Sequence, residues 1–301
     1  MKIVNIIGGL GNQMFQYAFA LSLKERFPDE EVLIDTTHFN HVFVKKFRGA
    51  NLHNGYEIEK VFPNAKQLKH ASCWQLMRVT WYMPNYLLSR VVRRILPKRK
   101  TEYIQPLASS FAHLLEVYDI KKDCYYEGIW ESVKNYIPCR DIILQTFAHP
   151  IPDDKTNKEY ISQMEASESV GIHIRRGDYL YEPAFMNICD LDYYKRAIAE
   201  ILSDEKKHDF FIFSNDISWC QKNISALLSG HNVVYVKNNI GTNSCWDMFL
   251  MTHCRDLIIA NSSFSWWGAF LNERKGKVIA PKIWVNRDAE YDIWMDEWIK
   301  L

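Results

Sequence analysis

Zinc-binding and disulfide patterns are absent from this sequence of 301 residues. Its seven cysteines include no CxxC pair, and no cluster of His and Cys has the spacing of zinc ligands. An odd and scattered set of cysteines is typical of free thiols in a reducing compartment. The cysteines are Cys73, Cys124, Cys139, Cys189, Cys220, Cys245 and Cys254. The sequence therefore predicts free thiols and no zinc site.

Long hydrophobic runs and an excess of one charge are missing as well. The apolar run nearest the start, Ile3–Ile7, is too short for a signal peptide or a membrane span, and we interpret it as a first strand. The 37 basic and 36 acidic side chains leave a net charge of only +1, which argues against a general nucleic-acid binder. We therefore expect a cytoplasmic protein with at most peripheral membrane contact.

The length and composition allow two domains with sizeable cores. The chain is about twice as long as a usual single domain, and 48% of its residues are hydrophobic. Residues 149–158 are rich in proline and polar side chains and are the best candidate for a linker. We predict an N-terminal domain over 1–150 and a C-terminal domain over 151–301, with a last helix that packs back on the first domain.

Short apolar runs alternate with helical patterns at both ends of the chain, whereas the middle, about 40–130, gives no clear pattern. This alternation predicts an α/β fold with parallel, doubly wound sheets. The predicted strands are Ile3–Ile7, Val32–Ile34, Ser169–Ile174, Phe210–Phe213, Val233–Val236, Leu257–Ala260 and Val278–Ala280. The predicted helices are Asn12–Lys24, Leu191–Leu202, a segment around Trp246–His253, and one that begins at Trp266–Leu271.

Polar or glycine-rich clusters directly follow four of these strands. Because the carboxyl ends of parallel strands form the ligand-binding edge of an open α/β sheet, we expect the clusters to line binding sites. They are Gly8–Gln13 (GGLGNQ), Arg175–Tyr179 (RRGDY), Ser214–Asp216 (SND) and Asn261–Ser265 (NSSFS). Three of the four belong to the second half, which should therefore hold most of one ligand.

The cluster GGLGNQ permits a close approach of the backbone to a phosphate or a sugar, next to the start of a helix. One alternative is a dinucleotide fingerprint, with Asp35 at the position that binds a ribose, although the third glycine is missing. A second alternative is a tight turn without a ligand.

The segment His173–Tyr179, HIRRGDY, places two adjacent arginines at the end of a buried strand. The planar guanidinium donates two parallel hydrogen bonds and suits a pyrophosphate. Asp178 would orient one guanidinium or bind a hydroxyl. The alternative is a structural network of arginine and aspartate without a ligand.

The other two clusters have both a ligand-binding and a structural interpretation. In NSSFS, hydroxyls and backbone N–H groups at a helix start suit a second anion contact, whereas the alternative is a plain N-cap by Ser263 or Ser265. In SND, the carboxylate of Asp216 would accept two N–H bonds from guanine, whereas the alternative is an Asx-turn.

Taken together, GGLGNQMFQYAFA, GIHIRRGDY, FSND and ANSSFSWWGAFLN resemble the motifs of the α-1,2-fucosyltransferases of glycosyltransferase family 11. The resemblance covers nearly the whole chain and is weakest over 40–130. HxRRxDY is also similar to a motif of α-1,6-fucosyltransferases, and GxxGNQ to one of protein O-fucosyltransferases. The segment Tyr126–Ser132 departs from the family in having Glu131 where Gln is common, which leaves the acceptor open.

The resemblance implies a GT-B fold, with two Rossmann-like domains that face each other across a cleft. It implies inverting transfer of fucose from GDP-fucose to the 2-hydroxyl of a galactoside, with the acceptor on the N-terminal domain and GDP-fucose on the C-terminal one. Arg175 would bind the diphosphate and Asp216 the guanine. The expected donor-binding residues are Gly9, Gly11, Asn12, Gln13, His173, Arg175, Arg176, Asp178, Ser214, Asn215, Asp216, Ser262, Ser263, Phe264 and Ser265. The acceptor would be a galactose-terminated oligosaccharide or a lipid-linked glycan.

Breaking a sugar–phosphate bond places negative charge on GDP, which a metal ion or fixed cations must stabilise. The sequence contains a DxD, Asp190–Asp192, but its position before an apolar-periodic helix predicts an N-cap. We therefore expect the arginines to act instead of a metal, with no cofactor besides the donor. As the base that takes the acceptor proton, the sequence offers Glu182, with Asp178 or a carboxylate of the first domain as alternatives. The expected catalytic residues are Arg175, Asp178 and Glu182.

The stretch Arg90–Lys100, RVVRRILPKRK, concentrates six basic residues. Contact with anionic lipid or a lipid-linked acceptor is one interpretation, and a solvated helix end is the other. Three further functions remain as alternatives: a transferase for another GDP-sugar, a non-catalytic glycan-binding protein, and a nucleotide-dependent oxidoreductase.

Overall fold

The computed structural model describes residues 1–40, 54–83 and 86–301. They divide into two compact units. Unit 1 comprises Met1–His149 and Ala289–Ile293, and unit 2 comprises Pro150–Asp288 and Trp294–Leu301. The chain therefore returns to unit 1 for one short segment near its C-terminal end.

Unit 1 is built on a parallel sheet with the strand order β3-β2-β1-β5-β4. Its strands are β1 (Lys2–Asn5), β2 (Val32–Asp35), β3 (Lys69–His70), β4 (Glu102–Ile104) and β5 (Cys124–Glu127). Its helices are α1 (Leu10–Arg26), α2 (Ile58–Val61), α3 (Cys73–Val79), α4 (Tyr86–Ile95) and α5 (Arg140–Thr146).

The central strands of unit 1 are buried on both faces, as expected for a parallel sheet covered by helices. Ile3 of β1, Leu33 of β2 and Tyr125 of β5 pack against one side of α3. Helix α1 is apolar nearly all round and is buried along most of its length, so that it forms the core of the unit rather than its surface.

Unit 2 is built on a six-stranded parallel sheet with the order β11-β10-β9-β6-β7-β8. Its strands are β6 (Ser169–Ile174), β7 (Asp209–Ser214), β8 (Asn232–Tyr235), β9 (Asp256–Ile258), β10 (Val278–Ala280) and β11 (Ile299–Lys300). Its helices are α6 (Lys155–Glu165), α7 (Leu191–Leu202), α8 (Ile217–Asn223), α9 (Cys245–His253) and α10 (Ser263–Phe270).

The strand order of unit 2 is that of the Rossmann fold. Counted along the chain from β6, the sheet reads third, second, first, fourth, fifth and sixth strand. The direction of winding therefore reverses between β6 and β9, which are hydrogen-bonded neighbours. Ligands of such sheets bind beyond the carboxyl ends of the strands at this switch point.

The predicted fold class is confirmed: both units are α/β and parallel, with the Rossmann-like domains expected of a GT-B chain. The bounds of β6, α7 and β10 agree with the predicted ones. The linker prediction is wrong from Lys155 onward, because α6 begins there. Asp154 caps this helix through a 2.8 Å bond from the Asn157 N–H, a signal that the sequence contains.

The C-terminal part of the chain is irregular apart from its two short strands. Between Leu271 and Leu301, all of which the structure describes, there is no helix that could pack back on the first domain. The segment that belongs to unit 1 is Ala289–Ile293 instead. Among the described residues, no helix is both long and apolar enough to span a membrane.

Candidate functional site

Three of the four predicted clusters lie at one edge of the unit 2 sheet. Arg175–Tyr179 follows β6, Ser214–Asp216 ends and follows β7, and Asn261–Ser265 follows β9. Because β6 pairs with both β7 and β9, the structure brings these three loops together around the switch point. The fourth cluster, Gly8–Gln13, belongs to unit 1.

The two adjacent arginines have different surroundings. Arg176 is held between loops: its Nε donates to the carboxylate of Asp216 at 3.1 Å, and its guanidinium lies 4.1 Å from the centre of the Trp219 ring. Arg175 donates one hydrogen bond, to Asp178 at 2.8 Å, and its guanidinium lies 5.4 Å from the Tyr179 ring. Among the described residues, each guanidinium therefore donates one side-chain hydrogen bond. The two arginines differ in that the partner of Arg176 lies on another loop, whereas that of Arg175 lies on its own, and the Arg175 side chain is the more exposed, at 33% against 21%.

A backbone contact joins the loops after β6 and β7. The N–H of Arg176 donates to the side-chain oxygen of Asn215 at 2.8 Å. Gly177 adopts a φ of +66°, and a Cβ there would lie only 2.7 Å from the Asn215 amide. Glycine is therefore required at this position by both the left-handed backbone and the close approach of the neighbouring loop.

Asp216 caps α8, a structural role that differs from the Asx-turn named as the alternative for SND. One carboxylate oxygen accepts the N–H of Trp219 at the start of α8, and the other accepts the Arg176 guanidinium. The Asp216 N–H in turn donates to the Ser214 hydroxyl at 3.0 Å. Asp216 therefore positions the loop, and because a carboxylate oxygen can accept more than one hydrogen bond, the expected guanine contact stays a prediction.

His173 is a buried neutral imidazole at the end of β6. Burial, with a smaller contribution from the Arg175 charge, lowers the pKa of His173 to about 3. Its ring lies 5.8 Å from that of Phe264 in the first turn of α10. Its Nδ1 is buried and has no hydrogen-bond partner among the described residues. Such an unsatisfied polar atom at a sheet edge is consistent with a missing ligand.

The start of α10 provides the positive end of a helix dipole next to β6. Ser262 is the N-cap residue, but its side chain accepts no hydrogen bond from the first turn. Ser263 and Phe264 follow in that turn and are half-buried. The structural alternative predicted an N-cap at Ser263 or Ser265. The cap residue is Ser262 instead, so the predicted position is wrong.

Ser265 is the exception in this cluster. Its side chain is fully buried, and its hydroxyl donates to the backbone oxygens of Ala260 and Ser262, both at 3.3 Å. In this conformation it shapes the turn between β9 and α10. The expectation that Ser265 contacts the donor stays a prediction, and its hydroxyl would have to turn away from these partners.

In unit 1, the cluster GGLGNQ forms the turn between β1 and α1. Gly8 has a φ of +83°, and a Cβ there would lie 3.1 Å from the side chain of Asn12. Gly9 is the N-cap of α1, and the buried Gly11 lies in its first turn. Of the expected donor contacts in this cluster, Gly9 and Asn12 are the more accessible.

The side chain of Gln13 is buried and hydrogen-bonded within unit 1, so a donor contact by Gln13 stays a prediction that these bonds do not support. Its amide nitrogen donates to the backbone oxygens of Gly8 and Gly55, and its oxygen accepts the N–H of Glu57. Gln13 therefore ties the turn to a neighbouring segment.

Asp35 does not support the dinucleotide alternative. It is buried, and it accepts the Tyr125 hydroxyl at 2.7 Å through one oxygen and the Thr37 N–H at 2.9 Å through the other. A ribose would have to displace these partners.

The two remaining expected catalytic residues are at the surface. The side chain of Asp178 is largely exposed, and Arg175 is its hydrogen-bond donor. Glu182 follows one turn later, with its N–H donating to the Asp178 backbone oxygen at 3.1 Å, and its side chain is exposed. Glu182 takes part in no ion pair within the part of the chain that the structure describes.

The DxD segment is a helix cap, as predicted. Asp190 accepts the Tyr193 N–H at 2.8 Å as the N-cap of α7, and Asp192 pairs with Lys195 at 2.9 Å. Residues 1–40, 54–83 and 86–301 contain no group of three His, Cys, Asp or Glu side chains that could hold a metal ion.

Sequence reasoning missed two aromatic residues that hold the loops in place. The Tyr179 hydroxyl donates to the Asn261 backbone oxygen at 3.2 Å and thereby joins the loops after β6 and β9. Trp219 supports the Arg176 guanidinium. The position of Tyr179 at the end of the RRGDY motif could have indicated its role. No motif in the sequence indicates the role of Trp219.

A cavity of about 320 Å³ opens at the opposite edge of the unit 2 sheet, where β9 and β11 begin. Its charged lining residues are largely paired, Arg255 with Glu168 and Lys277 with Glu200. None of the residues predicted to bind a ligand lies there, so the carboxyl edge remains the candidate site.

Comparison with known proteins gives one family. The model of "Glycosyl transferase family 11" matches residues 1–301. Two Escherichia coli relatives are the O-antigen biosynthesis glycosyltransferase WbnK, 28% identical over 98% of each chain, and an alpha-1,2-colitosyltransferase, 29% identical over 99% of this chain and 98% of the relative. The galactoside alpha-(1,2)-fucosyltransferase 2 of Sus scrofa is 24% identical over 90% of this chain and 69% of its own length.

Among solved structures, an alpha-1,6-fucosyltransferase, NodZ, soaked with GDP-fucose is similar with a TM-score of 0.49. It is 15% identical in sequence, and the similarity covers 90% of this chain and 91% of that one.

Proposed function

Because this chain belongs to glycosyl transferase family 11, we propose that it transfers L-fucose from GDP-fucose to the 2-hydroxyl of a terminal β-galactoside. In this proposal the β-linked sugar of the donor becomes an α-1,2-linked fucose, with inversion at the reacting carbon. The acceptor is a galactose-terminated oligosaccharide or a lipid-linked glycan, and unit 1 is the acceptor side.

The observation that carries the proposal is the position of Arg175. Arg175 directly follows β6, at the switch point of a Rossmann-type sheet, and among the described residues its guanidinium donates one hydrogen bond, to Asp178. Sheets of this topology bind nucleotides at that point. A fixed guanidinium with open donors suits the two oxygens of a diphosphate.

The chemical step requires stabilisation of the negative charge on departing GDP. Arg175, after β6, supplies a full positive charge. The start of α10, at Ser262 and Ser263, follows the neighbouring strand β9 and supplies the partial positive charge of a helix N-terminus. Fixed donors of this kind act in the transition state without reorganisation. We therefore propose that transfer needs no metal ion.

The residues around Arg175 have positioning roles in this scheme. Arg176, Asn215 and Asp216 form a hydrogen-bonded bridge that fixes the loop after β6 against the loop after β7. His173 is uncharged near neutral pH because its pKa is low, and its ring lines this edge of the sheet next to Phe264, with Nδ1 buried.

We propose that Glu182 is the general base that takes the proton of the acceptor hydroxyl. A general base must be accessible to the acceptor hydroxyl and not already neutralised. Glu182 is exposed and unpaired within the described part of the chain, whereas Asp178 is engaged by Arg175. This favours Glu182 over Asp178 as the base.

A second candidate donor comes from the relatives. One of them is named for transfer of colitose, a sugar that differs from L-fucose in lacking the 3-hydroxyl. A site that hydrogen-bonds this hydroxyl rejects the sugar lacking it by roughly 10⁴-fold or more, whereas a site without such a partner discriminates weakly. The donor preference therefore depends on one polar contact.

The test is a GDP-release assay with lactose as the acceptor and with GDP-fucose, GDP-colitose and GDP-mannose as donors. We expect the highest kcat/KM with GDP-fucose and no turnover with an acceptor that lacks the galactose 2-hydroxyl. A preference for GDP-colitose would select the second candidate, and a preference for GDP-mannose would refute both.

A further inference from the structure

Helix α4 of unit 1 has its apolar side outward. A surface helix normally buries its apolar stripe and exposes its polar one. Here Leu88, Val91 and Ile95 are 53%, 51% and 75% exposed, and at this spacing they lie on one face. The inversion indicates that the exposed face has a partner other than the core of unit 1.

The buried side of α4 is polar and fixes the orientation of the helix. Ser89 is fully buried, and its hydroxyl accepts the Met83 N–H at 2.8 Å. Arg93 pairs with Glu127 at 2.8 Å and donates to the Tyr125 hydroxyl at 3.2 Å. The helix is therefore held so that its apolar side points away from the sheet.

Positive charge flanks the apolar face. Arg90, Arg94, Lys98 and Lys100 are exposed, and within the described ranges none has a carboxylate within 4.0 Å. In the sequence, residues 60–101 contain ten Lys and Arg and no Asp or Glu, although the whole chain carries a net charge of only +1. The charge is therefore strongly segregated onto this part of unit 1.

The neighbouring helix extends the apolar surface. Trp74 of α3 is 80% exposed, and Met77 is partly exposed. The guanidinium of Arg99 donates to the Met77 backbone oxygen at 2.8 Å, which places the end of α3 beside the segment that follows α4. Exposed Trp, Leu and Ile side chains next to arginines and lysines are typical of helices that lie in a membrane interface.

We propose that this surface, the α4 face (Leu88, Val91 and Ile95 with Arg90, Arg94, Lys98 and Lys100), docks unit 1 on a bilayer that contains anionic phospholipid. The apolar side chains enter the headgroup region and the cations contact lipid phosphates. A second copy of the chain is a poorer partner, because pairing two such faces would bring like charges together. Nucleic acid would leave the apolar side chains exposed.

The test is sedimentation with vesicles of phosphatidylglycerol and phosphatidylcholine, compared with vesicles of phosphatidylcholine alone, without donor or acceptor. The natural protein should sediment with the anionic vesicles, and binding should weaken as salt rises, because the Debye length falls from about 10 Å at 0.1 M to about 3 Å at 1 M. Vesicle binding is independent of the proposed reaction, so either proposal can fail without the other.

Two double variants separate the apolar and electrostatic contributions. Arg90→Gln with Arg94→Gln should lower the partition coefficient roughly tenfold or more, since each basic side chain near an anionic surface contributes about fivefold. Val91→Gln with Ile95→Gln should lower it by a similar factor. Because all four side chains are exposed, the thermal unfolding and the turnover of a free oligosaccharide should not change.

Matched controls change exposed residues of unit 2. Ile151→Gln, and Lys155→Gln with Lys158→Gln, should bind vesicles like the natural protein. The proposal is overturned if the natural protein stays in the supernatant with anionic vesicles, if it binds neutral vesicles equally well, or if the α4 variants bind as well as the controls. Dimerisation that Val91→Gln with Ile95→Gln abolishes, without vesicle binding, would identify a second copy as the partner and would also overturn it.

Discussion

Replacing Arg175 by alanine should lower kcat about 10²-fold or more and leave the stability of the protein almost unchanged. In the proposed function, the guanidinium opposes the charge that develops on the leaving diphosphate. Its contribution to folding is small, because its partner Asp178 is largely exposed and a surface ion pair contributes about 0–1 kcal/mol.

Arg176 is the internal comparison, since it differs from Arg175 by one position and by its contacts. Replacing Arg176 by alanine removes an ion pair with Asp216 at 3.1 Å and a ring contact with Trp219 at 4.1 Å. Together these contribute about 1–2 kcal/mol, which lowers the Tm of a domain of this size by about 3–6 °C. Arg176→Ala should therefore reduce stability measurably.

The assay combines three measurements on the same preparations: kcat from GDP release, the affinity for GDP by calorimetry, and Tm by thermal unfolding. Arg175→Lys keeps the charge but not the two-donor geometry, and should recover only part of the activity. Lys195→Ala, on an exposed face of α7, is the control for removal of a surface charge.

Two results would refute the reasoning. A loss of kcat below about threefold in Arg175→Ala would show that Arg175 does not stabilise the transition state. Removing a donor with that role costs about 2.7–4 kcal/mol of transition-state stabilisation. A larger kcat loss in Arg176→Ala at unchanged Tm would mean that the roles of the two arginines are reversed.

The remaining predictions concern the base, the metal and two buried titratable groups. Glu182→Gln should lower kcat by about 10²-fold or more; a change under about threefold would exclude Glu182 as the base. Activity should persist in excess EDTA, and a loss that Mg²⁺ or Mn²⁺ restores would contradict this. Burial and Arg175 lower the pKa of His173 from 6.5 to about 3, so between these values the unfolded chain binds a proton that the folded one does not. The contribution of His173 to stability should therefore fall by up to about 1.4 kcal/mol per pH unit on acidification below 6.5. In urea titrations the difference in unfolding free energy between the natural protein and His173→Asn should change with this slope; a difference that does not depend on pH would contradict the assignment. Burial raises the pKa of Asp247 from 3.8 to about 7, against a smaller opposing effect of the Asn239 hydrogen bond. The folded state therefore holds a proton that the unfolded chain has lost, so the contribution of Asp247 to stability should fall as pH rises from 3.8 to about 7, opposite in sign to that of His173. The difference in unfolding free energy between the natural protein and Asp247→Asn should change accordingly, and a difference that does not depend on pH would refute this.

Elements with a strong local pattern were predictable from the sequence. Ser169–Ile174 is an apolar run buried on both faces, and Leu191–Leu202 is an amphipathic helix that begins after a capping aspartate. Both were predicted with the bounds that the structure has, because their periodicity and their end signals lie within the segments themselves.

The middle of unit 1 could not be predicted because its order depends on distant contacts. Strand β5, Cys124–Glu127, is only four residues long, and it pairs with β1 and β4 in the centre of the sheet. Its Tyr125 hydroxyl bonds to Asp35, ninety residues earlier in the chain. Nothing in the local pattern of CYYE indicates either contact.

The candidate site was predictable in location but not in detail. Sequence placed the loops at the carboxyl edge of the sheet, since that edge follows from parallel strands. The family resemblance singled out Arg175 for the diphosphate, but the residues themselves did not distinguish Arg175 from Arg176, because their difference in contacts arises from Asn215 and Asp216 after another strand. Likewise, the side chain of Gln13 points inward because its amide bonds to the backbone groups of Gly55 and Glu57 in a separate segment.

The central claim is the transfer of fucose to a galactose 2-hydroxyl, and the direct measurement is the structure of the product. GDP-fucose and lactose are incubated with the protein, and the trisaccharide is analysed by NMR for its linkage and anomeric configuration. We predict an α-linked fucose on the 2-position of galactose. A different linkage, a β-linked product, or no trisaccharide beside free GDP would contradict the account.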